Sequence, residues 1–436
     1  MASSMLVDST PACKGLHMQT KLSHEFANTP EGAEAEEILR KCVHCGFCTA
    51  TCPTYLLLGD ERNGPRGRIY LMKQLLEGEE VTASTQQNLD RCLTCRNCES
   101  TCPSGVEYGK LVHIGRKLVD ERIPRPPKDR AVRWLLREGL TSPLFLPAMK
   151  IGRMVRPLLP SKLANKLTPS RPAGQRPTRR HARKVLMLEG CVQPAMMPNI
   201  NSATARVLDA ADFQVVSVPR AGCCGAIRLH TGDHKGGLDD MRRNIDAWWP
   251  AISSGEVEAI VMNASGCGAT VKDYADLLKH DAEYAEKAAR VSELTRDLSE
   301  LLPELLPRLR GKVKACDKPA LAFHPPCTLQ HGQKLRGVVE EHLGQLGFSV
   351  HRASVESHLC CGSAGTYSVL QPEISLQLRD RKIEHLSEKQ PDCIVSANIG
   401  CIQHLQSGTP TPVKHWIEVL DDAIEPAVQP EEQVFI

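Results

Sequence analysis

CVHCGFCTATCP at residues 42–53 and CLTCRNCESTCP at residues 92–103 are two copies of one pattern. Each copy spaces three cysteines by two residues, adds a fourth after three more, and ends in proline. A doubled run of this kind holds a pair of [4Fe–4S] clusters. Three closely spaced thiolates can fold round one corner of a cubane. The fourth, carried away by the proline, ligates the other cluster. The expected sets are therefore crossed. Cys42, Cys45, Cys48 and Cys102 form one, and Cys92, Cys95, Cys98 and Cys52 form the other. A double zinc site would favour paired C-x-x-C with a long spacer, and a disulfide framework belongs to small secreted chains. Neither suits these two runs.

Outward from the motifs, helical periods dominate. EGAEAEEILRK (31–41) carries acids in its first turns, where they suit the helix dipole. Between the motifs, Gly64-Pro65-Arg66-Gly67 reads as a turn. A helix follows, with Ile69, Met72, Leu75 and Leu76 on one face. Residues 110–122 repeat the period through Leu111, Ile114, Leu118 and Val119. Arg66 and Arg68 either offset thiolate charge or form a solvated or partner-facing pair. Residues 31–122 are thus expected to be a helical domain with cysteines in its turns. Residues 1–30 are expected to be a loose extension, with Cys13 a plain thiol.

The whole chain bounds the class. Its 436 residues suit two or three domains, and its 41% hydrophobic and 24% charged content is that of a globular protein. A net charge of +3 gives no reason to expect nucleic acid. No apolar run approaches the ~18 residues of a spanning helix, and the N-terminus lacks a signal-peptide core. A cytoplasmic location is expected, where thiols stay reduced and bind metal.

Residues 123–183 hold ten prolines and 15 Lys or Arg against two acids, Asp129 and Glu138. The prolines forbid one long helix. The stretch reads as a basic interdomain linker, a dock for an acidic partner, or a patch for an anionic membrane surface. From Lys184 the texture becomes α/β. Apolar strands VLML (185–188), FQVVSV (213–218) and AIVMN (259–263) alternate with helical periods. The order then recurs in ALAF (320–323), FSVHRA (348–353) and CIVSAN (393–398). Cys191, Cys223, Cys224 and Cys267 reappear as Cys327, Cys360, Cys361 and Cys401, at offsets of 136, 137, 137 and 134. This is an internal duplication, taken as 184–310 and 311–436, with a helix over 274–302 joining the halves. Each cysteine follows a strand, where ligands collect in open α/β sheets. The eight are candidates for a further cluster, metal or redox site. Cys316 and Cys393 fall outside the repeat and read as ordinary thiols.

These residues carry a resemblance. CVHCGFCTATCPTY (42–55), GPRGRIYLMKQ (64–74) and DRCLTCRNCESTCPSGV (90–106) resemble the helical two-cluster ferredoxin domain of succinate dehydrogenase-like and heterodisulfide reductase-like carriers. Residues 184–424 resemble the duplicated cysteine-rich domain named for its Cys-Cys-Gly core. VLMLEGC (185–191), NIDAWWPAI (244–252), ASGCGA (264–269), CTLQH (327–331) and SHLCCGSAGTY (357–367) narrow the resemblance to the iron–sulfur subunits of bacterial glycolate oxidase. The implied fold class is an all-α ferredoxin-type domain followed by a duplicated α/β cysteine-rich domain. The implied role is electron transfer from a flavoprotein subunit that oxidises glycolate to glyoxylate toward a quinone-type acceptor. Peripheral attachment to the inner membrane's cytoplasmic face stays open. The chain has no G-x-G-x-x-G after a strand, so no flavin is expected in it. The heterodisulfide reductase pattern closes each repeat with Cys-x-x-Cys, whereas here Thr270 and His404 stand in the closing places. That puts a five-thiolate cluster in doubt. The competing functions are the equivalent subunit for lactate or anaerobic glycerol-3-phosphate oxidation, and a disulfide reductase acting through Cys223-Cys224 or Cys360-Cys361.

Overall fold

The computed structural model describes residues 18–156, 171–315 and 317–425. Cys13 and Cys316 lie outside them. The chain divides after Pro124 into two compact units.

In the first unit every regular element among the described residues is helical. The longer helices are Pro30–Lys41, Pro65–Leu76, Ala83–Asp90 and Tyr108–Arg122. Thr29 caps the first by accepting from Gly32 N at 3.0 Å, and Pro30 and Pro65 fill first-turn positions where no N–H is needed. The apolar faces read from the sequence meet in one core: Ile38 and Leu39 pack with Ile69, Met72, Leu75, Leu76, Leu111, Leu118 and Val119. Each such residue stabilises by roughly 1.5–3 kcal/mol when fully buried. Residues 18–29, expected to be loose, pack on this domain. Phe26 is buried in the core, and Ser23 N bonds Leu76 O at 2.9 Å.

The second unit begins with two helices inside the stretch expected to be a linker, Pro127–Thr141 and Phe145–Met154. Arg228 pairs with Glu138 at 2.9 Å, and Arg153 donates to the carbonyls of Ala195 and Met196, both at 2.9 Å. The prolines set the helix starts rather than preventing helices. Residues 157–170 of that stretch lie outside the described residues.

Two four-stranded parallel sheets follow. β1 (Arg183–Met187), β2 (Phe213–Ser217), β3 (Ala259–Met262) and β4 (Thr295–Asp297) are ordered β2-β1-β3-β4. β5 (Leu321–His324), β6 (Val350–His351), β7 (Cys393–Ser396) and β8 (Val413–His415) are ordered β6-β5-β7-β8. The duplication is therefore one of topology. The expected joining helix is broken. Helix Ala285–Leu294 gives way to β4 at Thr295, and helix Leu302–Leu309 follows with Pro303 in its first turn. The two halves share one core. Leu302, Leu305, Leu306 and Leu309 pack in the same cluster as Val207 and Leu208 of the first repeat and Trp416, Ile417 and Leu420 of the second. The closing helix Trp416–Ala423 lies on helix Pro198–Ala210, where Arg206 pairs with Asp421 at 2.6 Å.

Candidate metal centres

The eight cysteines of the first unit sit at helix ends and in turns. Cys42 caps helix Pro30–Lys41, Cys52 precedes helix Pro53–Leu58, and Cys102 caps the short helix Asn97–Thr101, which carries Cys98. The two motifs wind alike. His44 and Gly46 in one, and Thr94 and Arg96 in the other, take left-handed backbone with φ of 53°, 85°, 53° and 59°. These turns fold three thiols round one centre. Asn97 Nδ2 ties the motifs together by donating to Thr51 O at 2.9 Å.

Two cavities lie between the motifs. Cys42, Cys45, Cys48, Cys98 and Cys102 line the larger, which is partly open to solvent. Cys52, Cys92, Cys95 and Cys98 line the other. The fourth cysteine of each motif faces the first three of the other. A donor set of four convergent thiols with a void among them fits a four-iron cubane.

Burial and the neighbouring Cys42, Cys102 and Cys45 push the Cys48 thiol up to about 11. Burial and Cys95, Cys92 and Cys52 push Cys98 well above the usual thiol range. Burial alone would raise Cys92 too, but the Arg68 and Arg116 guanidiniums, the Thr94 N–H and the Tyr108 hydroxyl hold it below that range. Free thiols crowded this way resist ionising together, and a bound cation removes that cost. The two arginines flagged by the sequence behave differently. Arg66 is part-exposed and pairs with Glu61 at 2.7 Å. Arg68 is 1% exposed and donates to Asn88 O at 2.7 Å and Thr54 Oγ1 at 3.2 Å. The Thr54 hydroxyl also lies 3.3 Å from Cys52 Sγ.

The second unit gathers its cysteines beyond the carboxyl ends of the strands, four per repeat. In the first repeat Cys191 adjoins Cys223, and Cys224 adjoins Cys267. In the second, Cys327 Sγ lies 3.8 Å from Cys360 Sγ, and Cys361 adjoins Cys401. The Cys-Cys-Gly turns match: Gly225 N donates to Cys223 Sγ and Gly362 N to Cys360 Sγ, each at 3.4 Å. Both glycines are left-handed, with φ of 92° and 87°. Each presses on the next helix, so that a Cβ on Gly225 would stand 2.7 Å from Gly237 O. That approach explains why glycine closes both motifs. The closing positions do not join the thiols: Thr270 donates to Gly266 O at 3.0 Å, and His404 Nε2 lies 3.1 Å from Ser375 Oγ. Cys393 is a buried thiol of β7, apart from the cluster. The sheet ends meet across the repeats, where Ser265 N donates to Ala397 O at 3.0 Å.

The sequence reading missed three polar groups of these centres. Tyr108 OH donates to Cys92 Sγ at 3.6 Å. Lys382, buried beside the second repeat's thiols, is held down to about 8 by burial and donates to Glu356 O. His324 ends β5, buried, with both ring nitrogens lacking a hydrogen-bond partner. Only its place just before Pro325-Pro326-Cys327 pointed to it.

Comparison with known proteins agrees with this architecture. Residues 38–106 match the 4Fe-4S dicluster domain family, and residues 185–272 and 321–406 each match the cysteine-rich domain family. The chain is 54% identical over 413 residues to the glycolate oxidase iron-sulfur subunit of Escherichia coli (strain K12), covering 94% of this chain and 100% of that one. It is 31% identical over 418 residues to the probable glycolate oxidase iron-sulfur subunit of Bacillus subtilis (strain 168), covering 89% and 92%. Lactate utilization protein A of Geobacillus thermodenitrificans is 28% identical over 250 residues, 55% of this chain and 98% of that one.

Proposed function

The chain belongs to the family of glycolate oxidase iron–sulfur subunits, and from that premise we propose that it carries electrons from a flavoprotein subunit, which oxidises glycolate to glyoxylate, toward a quinone-type acceptor. The observation that carries this reading is the pair of cavities, in each of which the fourth cysteine of one motif joins the first three of the other. Cys42, Cys45, Cys48 and Cys102 would hold one [4Fe–4S] cluster, and Cys92, Cys95, Cys98 and Cys52 the other. Such clusters supply one-electron transfer when bound. The protein's own part is to position the thiolates, shield them from water and set their charge. Cys52, Cys92 and Cys98 are buried, and Arg68 and Arg116 place positive charge beside them. Cys45 is exposed at the mouth of the larger cavity, which gives that centre an electron path to the surface.

Docking to a partner is supported by helices Pro127–Thr141 and Phe145–Met154. Trp134 and Leu135 of the first are 57% and 65% exposed, and Leu144 and Ile151, at the start and within the second, are exposed too. The basic residues here are partly engaged, since Arg125 and the buried Arg133 both pair with Asp129, at 3.2 and 3.0 Å. Exposed large apolar side chains among basic residues suit a protein subunit. No helix among the described residues is long and apolar enough to cross a membrane. We place the chain in the cytoplasm, with any membrane attachment peripheral. Glycolate is preferred to lactate because the 54% identity spans 94% of the chain, while the lactate utilization proteins align with about half of it. The test is glycolate-dependent dye reduction by this chain alone, by its flavoprotein partner alone, and by the mixture with a quinone analogue. Quinone reduction only by the mixture is expected. Glycolate turnover by this chain without flavin would overturn the assignment.

A further inference from the structure

His324 has no part in the reading above. It is the last residue of β5, paired in register with Ser396 of β7, and 1% exposed. Neither Nδ1 nor Nε2 meets a hydrogen-bond partner. A buried polar group left in that state is destabilising, so an imidazole kept there needs a ligand to justify it. Beside it lie Cys361 and Cys401. One ring nitrogen and the two Sγ atoms all fall within 4.8 Å of one another, and all three residues are buried.

The first repeat supplies the comparison. Strand register and the 136-residue offset put Leu188 where the second repeat has His324. Leu188 is buried in an apolar cluster with Cys224. The halves therefore share four thiols but not the imidazole.

We propose that the second repeat binds a single zinc-class divalent ion through His324, Cys361 and Cys401, and that the first repeat does not. Thiolate and imidazole donors without an oxygen ligand select zinc among the common divalent ions. Zn–S and Zn–N bonds of about 2.3 and 2.0–2.1 Å put tetrahedral donors roughly 3.5–3.8 Å apart, so these three need close by only about an ångström. Cys327 and Cys360 lie near enough for one of them to complete the coordination. Asn398 Nδ2 donates to Cys401 Sγ at 3.6 Å, an outer contact of the kind that orients a metal ligand.

The test uses the full chain, purified anaerobically with its iron in place, stripped of labile zinc and titrated with cobalt(II). One cobalt per chain is expected, with thiolate-to-cobalt charge-transfer absorption and the visible bands of a tetrahedral site. In His324→Gln the affinity should fall at least tenfold and the visible bands should shift, while iron content stays at the wild-type value. Cys401→Ser should abolish binding. Cys393→Ser, which removes a buried thiol of the same repeat outside the site, should bind cobalt as wild type does and so controls for folding. Cobalt binding in His324→Gln with wild-type affinity and spectrum would overturn the proposal. So would loss of iron in that variant, which would make the centre part of an iron–sulfur cluster, and so would a wild-type chain that takes up no cobalt.

Discussion

Gly225→Ala should destabilise the second unit far more than its size suggests, and the structure says by how much. Gly225 has φ of 92°, in the left-handed region, where an L side chain costs about 1–2 kcal/mol. The added Cβ would stand 2.7 Å from the carbonyl oxygen of Gly237, closer than real Cβ atoms come, and 3.1 Å from Met241 Cε. The methionine can swing away. The carbonyl cannot, because it belongs to the backbone of helix His234–Ser253. Overpacking of this kind adds about 1–3 kcal/mol. Alanine returns about 0.4–1 kcal/mol by restricting the unfolded chain. The net loss should be about 1–4.5 kcal/mol, a large share of the ~5–15 kcal/mol that holds a typical domain together. Gly255→Ala is the matched control. Its φ is 71°, but nothing lies within 4 Å of its Cβ position, so it should lose about 1 kcal/mol or less. Urea unfolding followed by tryptophan fluorescence reads the difference in the right place, because all four tryptophans, Trp134, Trp248, Trp249 and Trp416, lie in the second unit. Equal midpoints for the two variants would refute the argument, leaving backbone conformation alone as the cause.

Two further outcomes are expected. Cys52→Ser should damage the centre that also uses Cys92, Cys95 and Cys98 and spare the one that uses Cys42, Cys45 and Cys48. Electron paramagnetic resonance of the reduced protein reads this, and a loss confined to the Cys42 centre would contradict crossed ligation. Burial holds His415 neutral in the folded chain down to about pH 3, whereas the unfolded chain protonates it near 6.5. Its contribution to stability is thus complete above pH 6.5 and is lost as pH falls toward 3. Between pH 7 and 5 the wild type should lose about 2 kcal/mol more than His415→Asn in the same urea assay; parallel losses would exclude His415 as the source.

The crossed cavities are legible in the cysteine spacing alone, because four thiols and a proline leave few ways to close round two centres. Amphipathic periods likewise mark the helices of the first unit, and short β-rich runs mark six of the eight strands. β4 and β8 escape such a reading for a physical reason. Thr-Arg-Asp and Val-Lys-His are three-residue edge strands with no alternation to read, ordered by the sheet beside them. The helices at 127–154 are obscured by their prolines, which mark helix entry as readily as helix breakage. His324 is hidden because a lone histidine at a strand end carries no spacing. Its meaning depends on Cys361 and Cys401, 37 and 77 residues away.

Arg66 and Arg68 are indistinguishable in the sequence, and their separation follows from the helix that carries both. On helix Pro65–Leu76, residues two apart point about 200° from each other. One guanidinium must then leave the core where the other enters it. Arg66 turns out to Glu61, so its charge is already matched at the surface. Arg68 turns in beneath Cys52 and Cys92, where it meets the neutral groups Asn88 O, Thr54 Oγ1 and the Tyr108 hydroxyl. A cation this deep is costly unless negative charge lies close by. The thiolates of the Cys52, Cys92, Cys95 and Cys98 centre provide that charge only when they are held ionised, which is the state a bound cluster imposes. On the function proposed above, loading of this centre and packing of the first unit would be coupled through Arg68. The Cys42, Cys45, Cys48 and Cys102 centre has no buried guanidinium of this kind among the residues lining its cavity. The two motifs, alike in sequence, thus differ in the charge beneath them.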